Sequence, residues 1–379
     1  MIELPYTELI KIAKLETFLL RTEIDEPVIT SFGIISKRTV LLIRVEDCDG
    51  AFGWGEVFGN FPTHGAENRQ HLIRDYITPL AFSETWNSPL HAFETITAKT
   101  HVLSLQSGEA GPFAQSIAGL DIALWDLVAR KANMPLWKLM GGDFGSVPTY
   151  GSGLNPAGFE EIVENKITEG YNAFKIKVGF ERQADLTTLS NIRKIIGDKI
   201  LMVDVNQGWD IYTAKDNWLV YSEFNLNWIE EPIPADRPLT EWRHLASQEG
   251  APIAVGENLL GDQQFDIHIE ANLFGVLQPD ICKWGGFSKI LPLAKRTLDK
   301  GITYCPHFLA GPIGLLASAH CLAAAGGDGL LEIDTNFNPI REKLTGGLPL
   351  IKNGIMTLPD SPGLGVTPDP YILEQYRVE

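Results

Sequence analysis

The chain of 379 residues is 44% hydrophobic and carries 31 basic against 48 acidic side chains, for a net charge of −17 and a pI near 4.9. That suffices for a large core and, by length, for two domains, whereas so acidic a surface argues against a nucleic-acid or anionic-membrane partner, either of which needs a basic face. A small anionic substrate stays open, because a local lysine cluster and a bound metal outweigh a distant field. The cysteines, Cys48, Cys282, Cys305 and Cys321, make no CxxC pair and no metal-ligand spacing, as expected of reduced thiols in a cytoplasmic protein. Glu3 and Glu8 stand where a signal peptide would be basic, and the weakly polar run Ile313 to Ala325, which contains His320, is too short to span a bilayer.

From Ile10 to Phe58 the pattern is one of strands and turns. KLETFLLRTEI is followed by RTVLLIRVEDCDGAFGWGEVF, a strand, a DG-containing turn and a second strand, which makes an antiparallel start. Between them Asp25 to Ile35 mixes Pro, Gly, Thr and Ser with Val, Ile and Phe; it reads as a poorly covered edge or, preferably, as a mobile lid over something apolar. From Ala66 to Lys131 apolar residues recur at three and four, most clearly in QSIAGLDIALWDLVARKA, so the first third is α+β. Gly141 and Gly142 stop that pattern, and Asp143 to Ser146 leads into another.

The second pattern is a repeat. VPTYGS (Val147 to Ser152) is followed by seven apolar, β-branched-rich runs ending at Lys177, Asp204, Glu230, Glu257, Asp280, His307 and Glu332, at steps of 23 to 27 residues. Each step holds a strand, a loop, a returning helix and a second loop, and helices such as QADLTTLSNIRKIIG and FSKILPLAKRTLDKG fill the intervals. Eight parallel strands alternating with helices close into a barrel whose chemistry sits at the strands' C-terminal ends. After Glu332 the turn-rich GGLPLIKNGIMTLPDSPGLGV is expected to return to the first domain.

Asp204, Glu230 and Glu257, on three neighbouring strand ends, bring together like charges that repel unless a cation neutralises them. Oxygen-only ligands with room for water and substrate favour Mg²⁺. Any one of these acids alone reads as a helix cap or a lysine partner; three in register do not. Lys175 and Lys177, two apart on a strand, share the inward face and are expected to depress each other's pKa until one serves as a base near neutrality. His307 falls across the ring from Lys177. Alone it would read as a structural histidine, but Asp280 on the adjacent strand is placed to bond one ring nitrogen. Glu332, if protonated, is placed to donate a hydrogen bond to a substrate oxygen. A metal so flanked acidifies the proton α to a chelated carboxylate by stabilising the enediolate, and opposed bases serve removal on one face with delivery on the other, or removal with protonation of a leaving group.

The ordered set KIKVG, VDVNQGW, IEEP, GEN, QPDICKWGG, PHF and LEID resembles the enolase superfamily, specifically the mandelate racemase subgroup of the mandelate racemase/muconate lactonizing enzyme family, with its Lys-x-Lys motif and His-Asp dyad. The resemblance spans the chain and implies an α/β fold: a modified TIM barrel, (β/α)₇β, over residues 141–335, with an N-terminal α+β capping domain over 1–140 completed by the C-terminal segment 336–379. It implies Mg²⁺ held by Asp204, Glu230 and Glu257, Lys177 and His307 as the acid/base pair, Asp280 as partner of His307, Glu332 near the substrate carboxylate, and Lys175 and Asn206 lining the same pocket. The implied activity is dehydration of a sugar acid to a 2-keto-3-deoxy acid. Racemisation or epimerisation of a hydroxy acid and opening of a sugar-acid lactone are the alternatives, and a catalytically silent binding protein is the remote one. The resemblance further implies a small carboxylate substrate, a homo-oligomer, and substrate choice by the capping loops, here Asp25 to Ile35 and Gly59 to Ala66 with Thr63 and His64.

Overall fold

The computed structural model describes residues 9–30 and 33–378; Glu3 and Glu8 lie outside the described residues. The chain opens with a three-stranded antiparallel sheet of β1 (Ile12–Thr30), β2 (Gly33–Asp47) and β3 (Phe52–Val57), in that order. The turn into β3 is closed by Asp47, whose Oδ1 accepts from the backbone N–H groups of Asp49 and Ala51 at 2.9 Å each, as the DG signal predicts. Within Asp25 to Ile35 the described residues are paired strand: Val28, Ile29 and Thr30 pair with Ile35, Ile34 and Gly33. Alternating Val28 (buried), Ile29 (exposed) and Thr30 (buried) shows the strand period that its Pro and Gly content hides.

Of two long helices, α1 (Pro89–Ser107) and α2 (Ala110–Lys131), the first packs on the second and the second covers the sheet. Ser88 caps the first, its hydroxyl accepting from His91 N–H. The second lies on β3 backbone to backbone. A Cβ added at Gly53 would overlap Ala123 O, and one at Gly55 would overlap Gly119 O.

The repeat folds into eight parallel strands: β4 (Ser146–Leu154), β5 (Ala173–Lys177), β6 (Ile200–Asp204), β7 (Leu226–Glu230), β8 (Ile253–Val255), β9 (Val276–Leu277), β10 (Thr303–Tyr304) and β11 (Leu331–Asp334). Adjacent strands pair from β4 through to β10, and β11 pairs back onto β4 in register Glu332 to Tyr150, which bends the sheet into a barrel. Inside, Tyr150, Ala173, Met202, Trp228, Ala254, Val276 and Cys305 form a closed apolar layer. The strand period places the next inward residue two positions on, at Ser152, Lys175, Asp204, Glu230, Gly256, Gln278 and His307. A polar layer therefore rests on an apolar plug, nearer the strands' C-terminal ends.

Cap and barrel are clamped at a seam of buried acids. Asp121 of α2 accepts from Ser288 N–H (3.0 Å) and its hydroxyl (2.5 Å), at the start of α3 (Gly286–Asp299). Glu56 of β3 accepts from Gly311 and Gly314 N–H, at 2.6 and 2.8 Å, at the start of α4 (Pro312–Ala325). The C-terminal segment returns to the cap: Asp126 accepts from Trp54 N–H and Leu364 N–H at 2.9 and 2.6 Å, and Val378 N–H donates to Leu19 O.

Candidate active site

The loops that follow the eight strands surround a cavity of about 270 Å³. Of the residues singled out from sequence, Lys177, Asp204, Asn206, Glu257, His307 and Glu332 line it. Lys175, Glu230 and Asp280 do not; the first two lie beneath its floor, 2% and 1% exposed, and Asp280 is buried behind His307. Two larger hollows, of about 490 and 440 Å³, border Phe52 and Gly142, away from these residues. Neither collects acids and bases.

Beneath the floor Lys175 Nζ donates to both oxygens of Glu230, at 2.7 and 2.8 Å, and pairs with Glu332 at 2.8 Å. Glu230 also accepts from Trp228 Nε1 and Gln278 Nε2. Above, Lys177 Nζ pairs with Asp204 at 2.9 Å and donates to Asn206 Oδ1 at 2.6 Å, while Asn206 N–H returns to Asp204 Oδ1 at 2.8 Å. On the β10 side His307 Nδ1 meets Asp280 at 2.8 Å and Nε2 meets Glu257 at 2.5 Å. Asp280 is itself fixed by the N–H groups of Cys282 and Lys283, at 2.7 and 3.1 Å, so the Nδ1 side of the ring is held and Nε2 is left on the side of the cavity-lining Glu257.

These ion pairs correct two expectations. Burial would lower the pKa of Lys177 and Asp204 raises it; the repulsion from Lys175 is the smaller effect, and the net shift is upward. Lys175 is held charged still more strongly, against burial, by Glu230 and Glu332. The lysine pair is thus not self-depressed, because each ammonium has its own carboxylate. Glu332, in turn, is not a proton donor. Burial would raise its pKa, but Lys175 and His307 bring it to about 2, and its oxygens accept from Ser152 Oγ (2.5 Å) and Phe308 N–H (3.0 Å). His307 behaves like the lysines: burial opposes its charge, and Glu257 and Asp280 outweigh it.

Sharp backbone turns follow the acids. Asn206, Gln207 and Glu231 have φ of 47°, 63° and 37°, conformations that non-glycine residues adopt at some cost. Glu231 is buried, with Oε2 accepting from Asn258 at 2.8 Å and Oε1 without a hydrogen-bond partner among the described residues. Among the described residues no three acid, histidine or cysteine side chains form a ready metal cage. The donor chemistry nonetheless fits a hard divalent ion. Asp204, Glu230 and Glu257 are oxygen donors on adjacent strand ends, their charges now balanced by Lys177, Lys175 and His307, and the bare Oε1 of Glu231 marks unmet acceptor capacity beside them.

The wall facing the barrel is the cap. Val28 and Thr30 from the hairpin and Phe58 and Phe61 beyond β3 line the cavity, whereas Thr63 and His64 are exposed and do not. Ser152, Gly153, Gln207, Asn258, Lys283 and Leu309 complete it. Sequence reading passed over them, although Ser152 is two residues past the buried Tyr150 on one strand face, a signal that strand alternation makes available.

The family model for the "Mandelate racemase / muconate lactonizing enzyme, N-terminal domain" matches residues 14–141, and the one described as "Enolase C-terminal domain-like" matches 159–372. A D-galactarolactone cycloisomerase of Agrobacterium fabrum is 28% identical over 97% of this chain and 99% of its own length. An L-talarate/galactarate dehydratase of Salmonella typhimurium is 33% identical over 69% and 65%. Among solved structures, a mandelate racemase/muconate lactonizing enzyme from Bordetella bronchiseptica superposes with a TM-score of 0.92 at 43% identity, over 97% of this chain and 100% of the other. A racemase from Streptomyces coelicolor with bound magnesium gives 0.86 at 26%, with the same coverage.

Proposed function

The chain belongs to the mandelate racemase/muconate lactonizing enzyme family of the enolase superfamily, and from that premise we propose that it removes the proton α to the carboxylate of a small sugar acid and dehydrates it to a 2-keto-3-deoxy acid. One observation carries the reading: two nitrogen bases, Lys177 and His307, line a single cavity from opposite sides of the ring, each held by a carboxylate that is also an oxygen donor. In this reading Asp204, Glu230 and Glu257 would hold Mg²⁺, which would supply the positive charge that makes an α-proton removable.

The chain's own groups divide the remaining work. Lys177 and His307 are charged while Asp204 and Glu257 touch them, so either becomes a base only when those oxygens turn to another partner. One nitrogen then takes the α-proton and the other, still charged, protonates the departing β-hydroxyl. Asp280 keeps Nδ1 occupied, so the His307 proton moves at Nε2. Glu332, as a carboxylate, accepts a hydrogen bond from substrate rather than giving one. Val28, Phe58, Phe61 and Leu309 exclude water from the far wall.

A second reading, opening of a sugar-acid lactone, is favoured by the cycloisomerase relative that matches almost end to end. NMR in D₂O with Mg²⁺ and a panel of sugar acids and their lactones separates the two. A keto-deoxy acid is the expected product. Lactone consumption without keto acid supports the second reading, and absence of both turnover and α-deuteration across the panel overturns both.

A further inference from the structure

Glu230 differs from the other two acids of the candidate metal site in what holds it. Asp204 and Glu257 line the cavity, whereas Glu230 is 1% exposed and its donors are side chains inside the barrel. Their distribution is uneven. Among the described residues Oε2 accepts from three donors, Lys175 Nζ at 2.8 Å, Gln278 Nε2 at 2.9 Å and Trp228 Nε1 at 3.1 Å. Oε1 accepts from Lys175 Nζ alone, at 2.7 Å, and Lys175 has a further partner in Glu332 at 2.8 Å. A carboxylate has about four lone-pair sites over its two oxygens, so Oε2 is full and Oε1 keeps room for another contact.

Both neutral donors are held in place. Trp228, 1% exposed, belongs to the apolar layer of the barrel and meets the Tyr150 ring edge-on, 5.5 Å between centroids. Gln278, also 1% exposed, is packed against Gly256, where an added Cβ would come within 2.6 Å of the Gln278 backbone. With its Nε2 turned to Glu230, the Gln278 amide leaves its own Oε1 buried without a hydrogen-bond partner among the described residues, which costs stability. A side chain selected for stability alone would satisfy both ends of the amide. One that orients a carboxylate needs only the end that does so.

We infer that Trp228 and Gln278 are positioning residues for the metal site: they pin Glu230 by Oε2 and so leave Oε1 as the oxygen that a divalent ion would take. This rests on the metal-binding part of the reading above and adds to it two residues outside the set singled out from sequence. Lys175 can release Oε1 and stay paired with Glu332, so the exchange leaves no bare ammonium beneath the floor. Partners that fix a metal ligand from behind are typically worth about 10–100-fold in metal affinity. The rival role for both side chains is to fill the barrel. Packing of that kind would act on the stability of the metal-free fold and leave the affinity for the ion alone.

The test titrates Mg²⁺ calorimetrically into the metal-free wild type, Gln278→Met and Trp228→Phe, with thermal melting of each metal-free protein alongside. Both replacements remove the donor and keep an apolar body; Gln278→Met, close to glutamine in volume, carries the test should Trp228→Phe fail to fold. Each is expected to weaken Mg²⁺ binding by about 10–100-fold. The loss should run through Glu230, so that on a Glu230→Gln background Gln278→Met weakens binding by less than about twofold more. The inference is overturned if the variants bind Mg²⁺ as the wild type does whatever their melting temperatures, or more tightly, which would make the donors competitors of the ion. It is equally overturned if the Gln278→Met loss is as large with Glu230 replaced, or if the wild type binds no Mg²⁺. Exchange of the α-proton is read separately. Variant losses in Mg²⁺ affinity in a protein that exchanges the α-proton of no acid sustain the inference and sink the reaction reading; exchange with unchanged variant affinities does the reverse.

Discussion

Two sets of buried carboxylates can be set side by side. Along the seam, Glu56, Asp121 and Asp126 bond backbone N–H groups and a serine, with Arg130 the one cation among their hydrogen-bond donors in the described residues. At the barrel mouth, Asp204, Glu230, Glu257 and Glu332 each pair with an ammonium or an imidazole, and among the described residues only Asp204 and Glu332 of the four take a backbone N–H as well, from Asn206 and Phe308. Backbone donors cannot leave without unfolding the segment that carries them, so the seam acids are permanent fasteners. Side-chain cations can rotate away, so the mouth acids are exchangeable. The same residue type therefore serves architecture in one region and chemistry in the other, according to what donates to it.

The comparison breaks first at His307. Replacing it by Asn should lower α-proton exchange by about 10²–10⁴-fold, with the melting temperature nearly kept, because Asp280 retains its bonds from Cys282 and Lys283 N–H. Exchange at the wild-type rate would mean that the dyad is as structural as the seam. Next comes Asp126→Ala, which strips the acceptor from Trp54 and Leu364 N–H and from Arg130 Nε. A loss of about 3–5 kcal/mol in urea unfolding is expected, with kcat per folded molecule close to wild type. A variant that unfolds normally but has lost turnover would show that the seam belongs to the chemistry.

The smallest effect concerns pH. Burial, against the hydrogen bonds from Ser288, raises the Asp121 pKa to about 7. A raised carboxyl favours its neutral form in the fold, so this stability is fully present below the unfolded value near 4 and disappears as pH rises through about 7. Between pH 6 and 8 the share lost is about 1.4 kcal/mol. Asp121→Asn should flatten the unfolding profile over that window by this amount, Glu56, raised likewise to about 7, supplying a slope that stays. An unchanged slope in the variant would remove Asp121 from the titrating set.

The seam was the part that the sequence did not reveal. Asp121 and Asp126 sit in an amphipathic helix, where an acid ordinarily marks the solvent face, and only the third dimension shows Ser288 and Leu364 arriving there. The mouth was legible because strand ends recur every 23 to 27 residues and each carries an ionisable group. Spacing also placed Asp280 beside His307. It could not say that Lys175 and Glu230 would satisfy each other beneath the floor, nor that both lysines would stay charged, since a pKa depends on which partner is nearest. The hairpin end at Val28 and the turn at Phe61 were located as capping loops. Which of their residues face inward follows from pairing with β2 and from the chain's path past Phe58, and this leaves Thr63 and His64 outside the cavity lining.

The contact between β3 and α2 has a meaning for variation. At Gly53, Gly55 and Gly119 the opposing backbone or a valine methyl fills the space where any Cβ would go. No substitution there can be accommodated by a rotamer, and none of the three lies in the cavity. A randomised library sorted only for soluble expression should recover glycine at these three sites and remain diverse at Lys177 and His307, while one sorted on growth that requires turnover should narrow all five. Comparing the two selections would separate, within one gene, the letters written by packing from those written by chemistry.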